Sequence, residues 1–220
     1  MIEHPAIAAR GVTRALAACL VSLAAACAPE SRGSAPPAPP VSSAYTVEDT
    51  VWAVVLDSLY AGPATRQVVV RDITSRIPPE EAESEFVGMF DRIPGIRRET
   101  LDDYRLRNAE PRAVGALPLV RVPVVRVDSA TLADLPDGID TTFQAGEEPM
   151  RFWRAFHVRF PGSSGLITLG RVGFDAARTQ AMVNVDRGCG DLCGDGRIIL
   201  LSRDAAGRWR VVHEEGTWVS

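Results

Sequence analysis

Two sulfurs in the last fifth of the chain are the residues best spaced for chemistry. Cys189 and Cys193 form a Cys-x-x-x-Cys pair inside the stretch Arg187 to Gly196, which also carries Gly188, Gly190, Gly194 and Gly196. Such a pair serves either as a disulfide staple in an oxidising compartment or as a thiol–disulfide exchange centre in which one of the two sulfurs attacks as thiolate. The spacing is one residue longer than that of thioredoxin-like motifs. The alternating pattern on both sides also places the pair in a hairpin, away from a helix start that would lower a thiol pKa. The staple is therefore the reading adopted, and exchange is the alternative. Bridging so short a loop removes about 2 kcal/mol of unfolded-state freedom on the chain-entropy model. A structural zinc wants four Cys or His ligands, and beyond Cys27 only His157 and His213 stand beside this pair. Covalent c-type haem would need a His directly after a Cys-x-x-Cys. No metal and no cofactor is expected.

Other candidates carry less. Gly162-Ser163-Ser164-Gly165 misses the Gly-x-Ser-x-Gly spacing of a nucleophile elbow and follows Pro161, which suits a loop. Asp134, Asp137 and Asp140 surround Gly138 without the twelve-residue spacing and closing Glu of a calcium loop, so they read as solvated turn carboxylates. Glu214 and Glu215 are adjacent on an expected strand and point to opposite faces, which disqualifies them as an acid/base pair. Walker A and dinucleotide fingerprints are absent from the sequence. A net charge of -4, with Asp and Glu interleaved among the arginines between Arg92 and Arg107, argues against a nucleic-acid partner. No catalytic residue is assigned, and whether the chain is an enzyme is left open.

The N-terminus says where the chain works. Arg10 and Arg14 precede an apolar run from Ala15 to Ala26, a positive region followed by a hydrophobic region of secretory size. That run is shorter than the roughly 20 apolar residues a membrane-spanning helix needs. Ala24-Ala25-Ala26-Cys27 resembles a lipobox, the tripeptide before the cysteine that bacterial lipoprotein processing lipidates. Cys19 follows a better local tripeptide, but leaves too short a hydrophobic region after Arg14. Residues 1–26 are thus expected to be a lipoprotein-type signal peptide, with Cys27 the lipidated residue. From Ala28 to Pro40 the composition shifts to Pro, Ala and Ser with no large apolar side chain, as in an extended tether. Residues 27–43 are assigned to that tether and 44–220 to a single folded domain, long enough for its own core.

Within the domain, Thr46 or Asp49 caps a helix that runs to Gly62-Pro63, with Val51, Val54, Val55 and Leu59 on its apolar stripe. Arg66 to Thr74 reads as a strand, Pro78-Pro79 and the glutamates after them as a helix start, and Ile96 to Ala109 as a helix with Leu101, Tyr104 and Leu106 inward. Leu117 to Val127, with Pro118 and Pro123, reads as an extended edge segment. Glu147 to Phe160 reads as a short helix. The last third then gives four strands: one through Leu166 to Phe174, one through Ala181 to Val185, one from Arg197 to Arg203, and one through Trp209 to the end. Asp175 and Asp204 each open a short turn, which implies antiparallel neighbours.

The order Val172-Gly173-Phe174, Ala181 to Val185, Cys189-Gly190-Asp191-Leu192-Cys193-Gly194, Trp209 and Trp218-Val219-Ser220 resembles the C-terminal part of uncharacterised bacterial secreted proteins and lipoproteins. The resemblance spans about a quarter of the chain and implies a fold unit without implying an activity. The expected architecture is α+β, a C-terminal four-stranded antiparallel meander over residues 165–220 with packed N-terminal helices. The expected function is that of a membrane-anchored bacterial envelope lipoprotein, a non-catalytic binding or structural domain with an unidentified protein or small-molecule partner. Thiol–disulfide exchange by Cys189 and Cys193 is the alternative.

Overall fold

A computed structural model describes residues 45–78, 88, 92–118, 120–135 and 148–220. The described residues belong to one compact unit, Ser42–Ser220. The segments expected as signal peptide and tether, Cys27, and the helix start expected after Pro78-Pro79 lie outside them.

The helix that organises the core is α1, Val47–Leu59. Its start is fixed by a reciprocal capping box: the Thr46 hydroxyl accepts from the Asp49 amide at 3.1 Å, and the Asp49 carboxylate accepts from the Thr46 amide at 2.7 Å. Val51, Trp52, Val55 and Leu56 recur at helical spacing and are fully buried. They pack on one face of a sheet built from β1 (Gln67–Arg71), β2 (Val124–Val127), β3 (Ser163–Leu169), β4 (Gly173–Phe174), β5 (Gln180–Gly190), β6 (Cys193–Arg203) and β7 (Trp209–Val219).

The strand order is β2-β1-β3-β5-β6-β7, with β4 also pairing β5. This corrects the expected α+β architecture with its four-stranded antiparallel meander: the protein is mixed α/β, and the strands form one seven-stranded mixed sheet. β1 runs parallel to both β2 and β3, and the pairs from β3 to β7 are antiparallel. The physical reason lies in β1. Val68, Val69 and Val70 are all fully buried, so β1 is covered on both faces and must sit inside a sheet with a partner on each side. The partner that joins it to the C-terminal strands is β3, which puts Gln67 opposite Ser163. The expected first C-terminal strand is in fact interrupted between Leu169 and Gly173, giving β3 and β4.

The opposite face of the sheet carries two separate layers. Over β5 and β6 lies α2, Arg98–Asn108, whose Leu101 and Tyr104 meet Met182, Ile198 and Leu200. Leu106, expected inward, is 76 % exposed, and the buried position one turn after Tyr104 is taken by Asn108. Over β1 and β3 lie α3, Ser129–Ala133, and α4, Glu148–Arg159, with Phe152, Phe156 and Phe160 packed on Val69 and Leu166. β7 is the long outer strand of the sheet. Its register shifts twice against β6, around Val212 and Thr217, and such bulges make an edge a poor template for another strand.

Candidate functional site

The two sulfurs come together at the tip of the β5–β6 hairpin. Cys189 and Cys193 stand at disulfide distance with Cα atoms 5.0 Å apart, and the turn between the strands is Asp191-Leu192, fully out in solvent. The pair sits on strand ends and not at the start of a helix, where a thiol pKa would be lowered. Two neighbours hold the tip. His157 of α4 donates through Nε2–H to the Cys189 carbonyl at 3.0 Å. Gly165, at φ +121°, leaves room where a β-carbon would stand 2.3 Å from the Gly188 carbonyl oxygen.

Behind the tip, the sheet face between α2 and α4 changes from apolar to polar. Thr168, Asp186 and Gly196 are register neighbours across β3, β5 and β6, and Gly188 faces Gly194 one step nearer the tip. Asp186 accepts from the Trp218 indole N–H at 2.8 Å and, more weakly, from the Asn184 amide at 3.4 Å. Asn184 in turn accepts from the Tyr104 hydroxyl at 2.9 Å and reaches Ser75 Oγ at 3.3 Å. Burial pushes the Asp186 carboxyl up from the ordinary carboxylate range, against the two hydrogen bonds and with help from the Asp195 charge.

Asp195, on the other face, has the contrary environment. Burial works against its charge too, but Arg197 Nε at 2.8 Å and Arg187 Nε at 2.7 Å hold its carboxyl below the usual range. Arg197 continues to Glu214 at 3.1 Å. The buried Tyr60 hydroxyl, which lacks a hydrogen-bond partner, belongs to this side; burial and then the Asp195 charge push its pKa well above the usual value. Two carboxylates with opposite shifts often mark an acid and a base. Here the sheet itself separates them, so they cannot act on one substrate.

Asp186 therefore meets the conditions of a residue kept at some cost. Because its folded-state pKa is raised, the folded chain binds that proton more tightly than the unfolded chain. Its contribution to stability is favourable at low pH and is lost as pH rises through its titration. Asp186→Asn keeps an acceptor for Trp218 and cannot ionise. It is expected to raise stability at neutral pH by up to about 1 kcal/mol, a gain that disappears below the carboxylate range. Urea denaturation of both proteins across pH checks this; an Asn variant less stable at neutral pH would refute it.

The remaining sequence candidates are not brought together. Ser163 and Ser164 lie within β3 with both hydroxyls buried and unpartnered, so neither sits on an elbow. Asp134 ends α3, while Asp137 and Asp140 lie outside the described residues. Glu214 and Glu215 oppose Ile199 and Ile198 and so face opposite sides. Among the described residues no three His, Cys, Asp or Glu side chains are grouped to hold a metal ion. An open groove of about 460 Å³ lies between α1 and the β6–β7 hairpin, lined by Val47, Val54, Arg203, Trp209 and Arg210. The Asp186 and Trp218 arrangement was not read from the sequence. The sequence signal is Gly194 and Gly196, which are two residues apart and so share one face of β6, the face that Trp218 of β7 covers.

Comparison with models of protein families, with curated proteins and with solved structures finds no match to this chain.

Proposed function

We propose that this chain is a lipid-anchored protein of a bacterial envelope, held at the membrane through Cys27, whose folded unit acts by binding and not by catalysis. The observation that carries the reading is the order of the N-terminal segments: Arg10 and Arg14, the apolar run, Ala24-Ala25-Ala26-Cys27, then the proline-rich tether. The cysteine pair at the hairpin tip supports it, because two cysteines at disulfide distance on an exposed turn fit an oxidising compartment outside the inner membrane. Among the described residues no helix is long and apolar enough to cross a membrane, so attachment on this reading falls to the lipid. Acyl chains contribute about 0.8 kcal/mol per buried methylene, and several chains on one cysteine hold a protein at a bilayer essentially permanently.

The test is fractionation of the full chain and of Cys27→Ser expressed in a bacterial host. The parent is expected in the membrane fraction and the variant in soluble form. A variant that still pellets with membranes overturns the anchor. The redox half is read on the same protein: a reduction potential below about -300 mV marks a structural staple, whereas a value of about -200 to -120 mV with the reduced chain still folded would make exchange the function.

A further inference from the structure

The floor of the polar stripe is made of four positions on two strands, Gly188 facing Gly194 and Asp186 facing Gly196. None of these glycines has the positive φ that would require glycine for the backbone's sake. Glycine inside a strand weakens it, and the usual reason to tolerate it there is a close approach by another group. The approaching groups are two indoles. A β-carbon on Gly196 would stand 2.0 Å from Trp218 Nε1 and 2.3 Å from Cδ1, while one on Gly194 would stand 2.8 Å from Cζ3 and 2.9 Å from Cη2. Both short ends of the Trp218 ring thus rest on β6, and the ring lies flat along the strand. A β-carbon on Gly188 would stand 2.9 Å from Cζ2 and Cη2 of Trp153, so the outer edge of that indole bounds the strip on the α4 side.

One face of Trp218 is down on glycine and its N–H is tied to Asp186, yet the residue is 44 % exposed. The exposed part is the other face of a ring that is already fixed in place. A flat, immobilised aromatic surface beside hydrogen-bonding groups is suited to the C–H face of a sugar ring, since stacking covers the apolar face while hydroxyls at the ring's rim reach acceptors. Asp186 keeps acceptor capacity on Oδ2, where its partner is as far as 3.4 Å, and Thr168 brings a hydroxyl to the same stripe. A cation would want negative charge, and the second carboxylate on this face, Glu215, is already engaged by Arg92 at 3.5 Å.

We propose that Trp218, bounded by Trp153 and with Asp186 beside it, is a carbohydrate-binding site that stacks a pyranose ring on the outer indole face and hydrogen-bonds its hydroxyls to the Asp186 carboxylate. The site deepens the binding half of the proposed function and does not depend on the anchor; a soluble Cys27→Ser chain would leave it standing. The competing account is that Trp218 only shields strand glycines.

The test uses the full chain in detergent, titrated with chitotetraose, cellotetraose and maltotetraose while tryptophan emission and acrylamide quenching are followed. Trp52 and Trp209 are buried, so quenching reports on Trp153 and Trp218. At least one tetrasaccharide is expected to bind with a Kd below about 1 mM and to protect tryptophan from quencher. Trp218→Ala is expected to weaken binding about tenfold or more, Trp218→Phe much less, and Trp209→Phe not at all. Should Trp218→Ala fail to fold, Asp186→Ala is read instead, with the same loss expected. The proposal is overturned if no tetrasaccharide binds up to about 10 mM, if binding survives Trp218→Ala in the folded protein, or if tetramethylammonium protects the indole where sugars do not.

Discussion

Replacing Glu48 with Ala is expected to destabilise the folded unit by about 3–5 kcal/mol, the range for removing one partner of a buried charge cluster. Glu48 lies in the first turn of α1 and is 4 % exposed. Its carboxylate accepts from the Val172 amide at 2.9 Å, pairs with Arg112, and lies 3.4 Å from Arg171 Nε and 3.9 Å from Arg107 Nη1. These partners come from the end of α2, the segment after it, and the link between β3 and β4. One side chain thus ties the start of α1 to three other parts of the chain. With Ala at this position, three guanidiniums converge on a void and a backbone N–H loses its acceptor. Glu48→Gln keeps an acceptor for Val172 but no charge, and should lose less. Urea denaturation of the three proteins gives the ordering parent, Gln, Ala. A loss below about 1 kcal/mol for Ala would mean that Asp49, 4.0 Å from Arg112, and Asp103, 2.7 Å from Arg107, neutralise the arginines without it.

The cluster also shows why some of the fold is legible in the sequence and some is not. Thr46 and Asp49 stand at capping-box spacing ahead of an apolar periodicity, and α1 begins there because both signals are local. The alternation from Ala181 to Val185 and the run Ile198 to Leu201 likewise contain their own strand, since pairing across a short turn needs no distant information. The pairing of β1 with β3 is different. It joins residues nearly a hundred positions apart, and nothing in Val68-Val69-Val70 names Leu166 or Ile167 as its neighbour. What that run does say is that the strand is covered on both faces, which places it inside a sheet.

The site divides the same way. Cys189 and Cys193 are visible from spacing alone, whereas Asp186 becomes conspicuous only when β6 and β7 bring Gly196 and Trp218 beside it. In the sequence Gly194 and Gly196 read as loop residues, because glycine's commonest use is conformational. In the sheet they are empty space under a ring. Leu106 faces solvent for a related reason: Asn108 is fully buried where an apolar residue is the norm, so the inward stripe of α2 ends on a polar side chain that apolar periodicity does not register. The Asn108 carboxamide oxygen accepts from the Arg171 amide at 2.8 Å and its Nδ2 donates to the Arg171 carbonyl at 3.0 Å, which is what interrupts the strand between β3 and β4.

That interruption is the point where the core and the candidate site meet, and it yields the second large effect. Trp52 is fully buried in α1 and donates through Nε1 to the Gly170 carbonyl at 2.9 Å. On the opposite face, a β-carbon on Gly170 would collide with Asn184 Oδ1 at 1.6 Å, so the same residue supplies an acceptor to one core and a slot to the Asn184 and Asp186 network of the other. Trp52→Ala is expected to cost about 3–5 kcal/mol through the cavity, with the unmade hydrogen bond to Gly170 included in that loss. Trp52→Phe fills most of the volume and isolates the hydrogen bond, for a loss of about 1–3 kcal/mol. If Gly170 couples the faces, Trp52→Phe should also change the acrylamide accessibility of Trp218, although the two indoles lie on opposite sides of the sheet. Loss of stability without any change at Trp218 would show that the link between β3 and β4 is held from the Asn108 side alone, and that the two faces are energetically independent.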